Sequence, residues 1–269
     1  MGESRYVPRS GESWRNPYPM YSELRNNSPA YFVEEGSYWF LSRFEDVFNA
    51  ARNPRIFSSR HGLTIDQDSN NLDMGDAAPI VFLDPPEHTE FRRLISKGFT
   101  PRKAEDMTED IFSFVESAIN RIKELGDCDI ISELFKPLPS YVVSKYLGVP
   151  ASDRVIFDTW TEKIVAGAIH DEESAGLEAI YEVTNYFTEL IEWRKRTPGD
   201  DLISELIEMG EEKVSIMWIL GLAFTMITGG NDTTTGLLGG SAVLLSENPE
   251  QRKLLLEDLR LIPTAIEEL

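Results

Sequence analysis

Cysteine is almost absent from these 269 residues. Cys128 stands alone, so no internal disulfide can form, which suits a reducing compartment. Basic residues are scarce too: 26 Lys and Arg face 46 Asp and Glu, for a formal net charge of −20. A field of that sign repels phosphate backbones and anionic membrane surfaces, which excludes nucleic-acid binding. Long apolar runs are missing. No stretch reaches the roughly 18 residues that a membrane span needs, and Met1-Gly2-Glu3-Ser4-Arg5-Tyr6 has no apolar signal-peptide core. The expectation is a soluble cytoplasmic protein. Histidine occurs three times, at positions 61, 88 and 170, with no metal-ligand spacing. Cys128 lies between Asp127 and Asp129, a setting that suits neither a nucleophile nor a ligand. No Gly-x-Ser-x-Gly elbow and no Gly-rich loop followed by Lys is present. No metal site is expected.

A hydrophobic content of 41% and a length of 269 residues are enough for a sizeable core. The expected fold is mainly α, with a small β-hairpin near the start and a long central helix. Residues 30–33 and 38–41 are aromatic, β-prone runs flanking Glu34-Glu35-Gly36-Ser37, which reads as the hairpin turn. Helices are expected at 18–25, 43–52, 141–147, 153–168, 177–196 and 202–209, and Ile111, Val115, Ala118, Ile119 and Ile122 mark one face of another. Pro150, Pro198-Gly199 and Asn248-Pro249 mark joints, and residues 58–79 read as a long loop of functional character.

Two constellations carry chemistry. The first is Gly229-Gly230-Asn231-Asp232-Thr233-Thr234, lodged between the apolar runs 216–227 and 237–245. Gly costs about 1 kcal/mol relative to Ala inside a helix, and buried Asp or Thr needs a partner. If the helix continues, Met226, Gly229, Gly230, Thr233 and Leu237 share a face, and the glycines leave a trough for something flat. Asp232 beside Thr233 is then an acid–alcohol pair able to relay protons. In the competing reading the glycines end one helix and Asp232 or Thr233 caps the next.

The second is Asp84-Pro85-Pro86-Glu87-His88-Thr89-Glu90-Phe91-Arg92-Arg93, in which Asp84 and Glu87 have the spacing of a capping box. His88 and Arg92, four apart, can reach one anion together, or can pair at the surface with Glu87 or Glu90. Arg92, Arg93, Lys97, Arg102 and Lys103 follow without an intervening acid. This local inversion of sign suits an acidic protein partner or a solvated helix face.

Together the segments resemble the cytochrome P450 superfamily, in its soluble bacterial form. Residues 229–234 match its oxygen-activating motif, 82–102 its haem-propionate segment, and 262–269 the start of its Glu-x-x-Arg helix. The resemblance implies a haem-thiolate monooxygenase using haem b, a small apolar substrate and electrons from a ferredoxin or flavoprotein. It implies Asp232 and Thr233 as the catalytic proton-delivery pair, and Gly229 and Gly230 as residues packing against the porphyrin. His88 and Arg92 become propionate ligands, and partner docking falls near Arg92, Arg93, Lys97, Arg102 and Lys103. Substrate entry falls among segments between positions 58 and 196.

Residues 1–269 then correspond to roughly two thirds of such a domain, an incomplete single domain truncated before the cysteine loop. Inactivity of the chain by itself is expected. The alternatives are a non-catalytic fragment that associates through exposed apolar surface, and an all-α metal-dependent terpene cyclase. The latter would use Asp200-Asp201 and Asn231-Asp232 with Thr235, although Gly239 stands where its last acid is required.

Overall fold

The computed structural model describes residues 11, 15–34, 36–62, 78–169 and 173–269. Its packing separates two units, Met1–Gly75 with Val81–Glu90, and Asp76–Ile80 with Phe91–Leu269. The amino-terminal hexapeptide, His170 and most of the expected 58–79 loop lie outside the described residues.

In the first unit, helix α1 (Tyr18–Asn27) leads into strands β1 (Ala30–Val33) and β2 (Tyr38–Leu41). The strands pair antiparallel with Phe32 opposite Trp39 and Val33 opposite Tyr38, as their alternation requires. The turn uses Gly36 at φ 97° and Ser37 at φ 53°, left-handed backbone that glycine adopts without a Cβ clash. Helix α2 (Phe44–Ala51) follows.

Helix α3 (Glu87–Ile95) begins in the first unit and ends in the second. Then come α4 (Pro101–Asp106), α5 (Thr108–Leu125), a π-turn (Ile131–Phe135) and α6 (Pro137–Tyr146). A 3₁₀ turn (Ala151–Asp153) leads to α7 (Ile156–Ile169), α8 (Glu173–Arg196) and α9 (Leu202–Glu208). The 32-residue α10 (Ile216–Glu247), α11 (Pro249–Glu257) and α12 (Ile262–Glu268) complete the chain. The mainly α architecture, the hairpin and the long central helix are as expected. Helix α10 packs on α6, α7 and α8, and Phe157, Phe187, Ile191, Ile203, Leu206 and Ile227 are fully buried.

Asp158 on α7 is half-buried and accepts a hydrogen bond from Ser140 Oγ of α6. Burial pushes its pKa up, outweighing that hydrogen bond and nearby Lys136. A carboxyl whose folded pKa is raised favours the fold most below its ordinary value of 3.8 and loses that contribution as pH rises through the folded value. Asp158→Asn is therefore expected to flatten stability against pH above 3.8, measured by denaturant unfolding across a pH series. An unchanged slope would show that Asp158 does not drive it.

The last turns carry much exposed apolar surface. Leu256 is 75% exposed and Ile266 53%, with Leu254, Leu259, Leu261 and Ile262 also open. Contiguous apolar surface of this kind promotes association. The chain is expected to self-associate in light scattering, and the double change Leu256→Glu with Ile266→Glu to shift it toward monomer. A stable monomer before substitution would refute this.

Candidate functional site

The interruption at 229–234 does not break the helix: α10 runs from Ile216 to Glu247 without a stop. The competing cap reading is thereby excluded, since Asp232 and Thr233 sit in mid-helix. Helix α10 is capped instead by Ser215, whose side chain accepts from Trp218 N at 3.2 Å. Within the helix, Thr233 Oγ1 donates to the Gly229 carbonyl at 2.6 Å and Thr235 Oγ1 to the Asn231 carbonyl at 2.8 Å. Such back-bonding lets a hydroxyl sit inside a helix without a lost donor.

The two glycines have different surroundings. A Cβ at Gly230 would come within 3.0 Å of Val143 on α6, so its missing side chain lets two helices close. Among the described residues a Cβ at Gly229 would meet nothing within 4 Å, and the same holds at Gly236 and Gly240. At 100° per residue, Gly229, Thr233, Gly236 and Gly240 lie within about 60° of one another. Three open glycines and one hydroxyl thus form a bare backbone stripe along α10. Asp232 borders it and is exposed, as is Thr233. The sequence already held the 229-233-236-240 period, but the adjacent Gly pair drew the reading away from Gly236 and Gly240.

Asn231 was given a role in the sequence only within the cyclase alternative, yet it is the buried polar residue of the motif, only 4% exposed. Its Nδ2 donates to Thr161 Oγ1 on α7 at 3.0 Å, and Thr161 Oγ1 in turn donates to the Phe157 carbonyl at 3.0 Å. Only spatial proximity across 70 positions reveals this pair.

The segment at 84–93 departs from the expected capping box. Asp84 accepts from Ser58 Oγ and Ser59 N, at 2.5 and 2.9 Å. Those hydrogen bonds, the Ser58 one foremost, hold its carboxyl below the usual range. Glu87 pairs with Arg60 at 3.2 Å. Both carboxylates are drawn to the 58–60 turn, so neither serves the reciprocal cap. His88 and Arg92 nevertheless occupy α3 four residues apart, and neither has an acidic partner among the described residues. Surface pairing with Glu87 or Glu90 is thus not formed. A cavity of about 810 Å³ in the first unit is lined by Arg52, Arg55, Arg60, Asp84, Thr89 and Glu90. Its mixed charges suit no apolar substrate.

In the basic cluster, Arg92, Arg93, Lys97 and Arg102 are exposed and without ion pairs among the described residues. Lys103 is not equivalent, because it pairs with Glu205 of α9. Cys128 is exposed. Asp201, expected as half of a metal motif in the cyclase alternative, is buried, caps α9 at Ser204 N (2.8 Å) and pairs with Arg194 at 2.8 Å. Its carboxylate is spent on the fold, which removes that alternative's first site. Among the described residues no cluster of His, Cys, Asp and Glu could hold a metal, and no helix is long and apolar enough to cross a membrane.

No protein-family model matches the chain. Known proteins do. Cytochrome P450 130 of Mycobacterium tuberculosis is 46% identical over 271 residues, covering 97% of this chain and 67% of that protein. Substrate-free CYP109E1 from Bacillus megaterium superposes with a TM-score of 0.84 at 30% identity, over 94% of this chain and 67% of that one. P450BioI in complex with hexadec-9Z-enoic acid ligated acyl carrier protein gives a TM-score of 0.83 at 28% identity, over 96% and 68%. The chain spans about two thirds of the length of these proteins.

Proposed function

This chain belongs to the cytochrome P450 family, and from that premise we propose that residues 1–269 carry the oxygen-side half of a haem monooxygenase site. The observation that carries the reading is the bare stripe of α10, where Gly229, Gly236 and Gly240 leave open space beside exposed Thr233. A planar macrocycle needs such a strip of backbone, and a Cβ on any of these glycines would project into it. Haem, when bound, supplies the centre at which one oxygen atom enters a small apolar substrate with electrons from a redox partner. His88 and Arg92 offer two donors on one helix to the propionate carboxylates. Gly230 acts at one remove, by letting α6 approach.

Thr233 holds a proton between its Oγ1 and the Gly229 carbonyl. Asp232, exposed beside it, is the acid that replenishes that proton. The apolar substrate class is supported by the long-chain acyl group in the P450BioI complex. An acidic ferredoxin or flavoprotein is the proposed donor of electrons, drawn to Arg92, Arg93, Lys97 and Arg102, which have no ion pair among the described residues, with Lys103 contributing less because Glu205 neutralises it. Residues 1–269 are then part of one longer domain.

The test is a chimera of this chain with the remaining third of Cytochrome P450 130. Asp232→Asn and Thr233→Ala are each expected to lower turnover by about 10²-fold while haem content stays constant. His88→Ala with Arg92→Ala is expected to reduce haem content instead. Unchanged turnover in both relay variants would sink the assignment.

A further inference from the structure

The segment 228–242 of α10 is built from Thr, Gly, Asn, Asp, Ser and Ala with only two Leu residues. Helices normally fix their rotation about the long axis by interlocking large side chains. A stretch this smooth offers few knobs, and the closest approaches its glycines make are Gly230 to Val143 and Gly239 to Ile131. Rotation matters here more than elsewhere. A turn of one residue, about 100°, would carry the glycine stripe and Thr233 to a different side of the helix.

Two polar contacts resist that turn: Thr235 Oγ1 lies 3.2 Å from the Phe135 carbonyl but shares its single proton with the nearer Asn231 carbonyl at 2.8 Å, which leaves the buried contact of Asn231 as the stronger pin. Asn231 is 4% exposed and Thr161 7%, and the 3.0 Å hydrogen bond between them joins α10 to α7. The amide oxygen Oδ1 of Asn231 is buried and has no hydrogen-bond partner among the described residues. A group satisfied on one side only is a poor source of stability, so packing energy does not account for it. Its position does. Asn231 lies about 170° around the helix from the centre of the Gly229-Thr233-Gly236-Gly240 stripe. Pinning one side to α7 aims the other side away from it. A single buried Asn sets register in the same way in otherwise uniform helical interfaces.

We infer that Asn231, acting through its hydrogen bond to Thr161, is a positioning residue that sets the rotation of α10 and thereby aims Thr233 and the glycine stripe. The functional meaning of that aim rests on the haem reading above; the pin itself does not. Thr161 donates its own proton to the Phe157 carbonyl, so its lone pair is presented to Asn231 in one orientation. The pin is thus directional, which an apolar contact between the same positions would not be.

The experiment uses the 269-residue chain with Cys128→Ser, and nitroxide labels at Gly236→Cys on the stripe and Ser152→Cys in the exposed 3₁₀ turn. One narrow label-to-label distance is expected. Thr161→Ser, which keeps the hydroxyl, should retain it. Thr161→Val and Asn231→Leu should each lose it, giving a broad or displaced distribution. The double change Thr161→Val with Asn231→Leu is the decisive variant, because replacing both polar partners restores stability without restoring direction. Its unfolding midpoint should recover while the narrow distance does not, a combination that a purely structural contact would not produce. A narrow, unshifted distance in Thr161→Val and Asn231→Leu would overturn the inference.

A second arm measures protection from maleimide, by hemin, of a thiol placed at Leu237→Cys on the edge of the stripe, where the native residue already carries an exposed side chain. Protection in the Thr161→Ser chain and its loss in Thr161→Val supports the aim as stated. Absence of protection throughout at hemin concentrations that saturate the chain's absorption change, with distances behaving as expected, leaves the pin in place and rejects the haem reading. Protection that persists in Thr161→Val rejects the pin.

Discussion

Asp201→Ala is expected to destabilise the second unit by about 3–5 kcal/mol, the usual consequence of stranding one member of a buried ion pair. Arg194 and Asp201 have side chains 13% and 3% exposed, and their charged atoms approach to 2.8 Å. Arg194 Nη2 is shared with the Gly148 carbonyl, also at 2.8 Å, so the ion pair stands off ideal hydrogen-bond alignment. Three segments meet here: the end of α8, the turn after α6 and the start of α9. Asp201 Oδ1 caps α9 through Ser204 N, and Ser204 Oγ accepts from Gly199 N at 2.9 Å. Gly148, at φ 78°, could carry no Cβ without striking Asp201.

Removing the carboxylate therefore leaves a guanidinium without its counter-charge and a helix without its cap, the latter worth about 1 kcal/mol by itself. Arg194→Met, which keeps the apolar stem but loses the guanidinium that stacks over Trp193 at 4.3 Å, is expected to cost less than Arg194→Ala. Urea unfolding of the three variants decides the matter. A loss below about 1 kcal/mol for Asp201→Ala would place the pair among surface-type contacts.

The same node shows what the sequence could and could not convey. Asp201 before a helical run carries a local cap signal, because a cap acts within three residues, yet it entered the sequence reading only as half of a metal motif. Arg194 as its partner was not legible, because no spacing rule links the end of one helix to the start of another. Local periodicity likewise located the hairpin and most helices. Asn248-Pro249 was read as a joint alone, yet proline at the first helical position also opens α11. The capping box at Asp84 failed for the opposite reason: a local rule was outcompeted by the Ser58-Ser59-Arg60 turn, which offers both carboxylates charged or hydroxyl donors. At 229–234 the glycine penalty suggested a break. A helix of 32 residues backed by three others absorbs about 2 kcal/mol of propensity loss and continues. The hydrogen bond of Asn231 to Thr161 was illegible because Thr161 lies 70 positions away.

The 269-residue chain supplied with haem is expected to show no thiolate-type absorption band after reduction under carbon monoxide, and no substrate turnover. Axial thiolate is what gives this family its electron push for O–O cleavage, and the chain's single cysteine is Cys128. That residue is exposed, in the turn between α5 and the π-turn. Asp129 beside it accepts from Ser132 Oγ at 2.8 Å and Ile131 N at 3.0 Å, and those hydrogen bonds hold it ionised next to the sulfur. A second carboxylate, Asp127, flanks the other side. Neither exposure nor charge suits Cys128 to an axial role, and the open glycine stripe of α10 supplies no sulfur ligand. Hemin is therefore expected to bind weakly, with a spectrum unchanged by Cys128→Ser. The chimera with the remaining third of Cytochrome P450 130 should acquire the thiolate band and keep it in the Cys128→Ser background. A thiolate band from the 269 residues alone, abolished by Cys128→Ser, would reverse this conclusion and make Cys128 the ligand. The outcome turns on one sulfur, so it separates the half-site proposed for α10 from the chemistry that completes it.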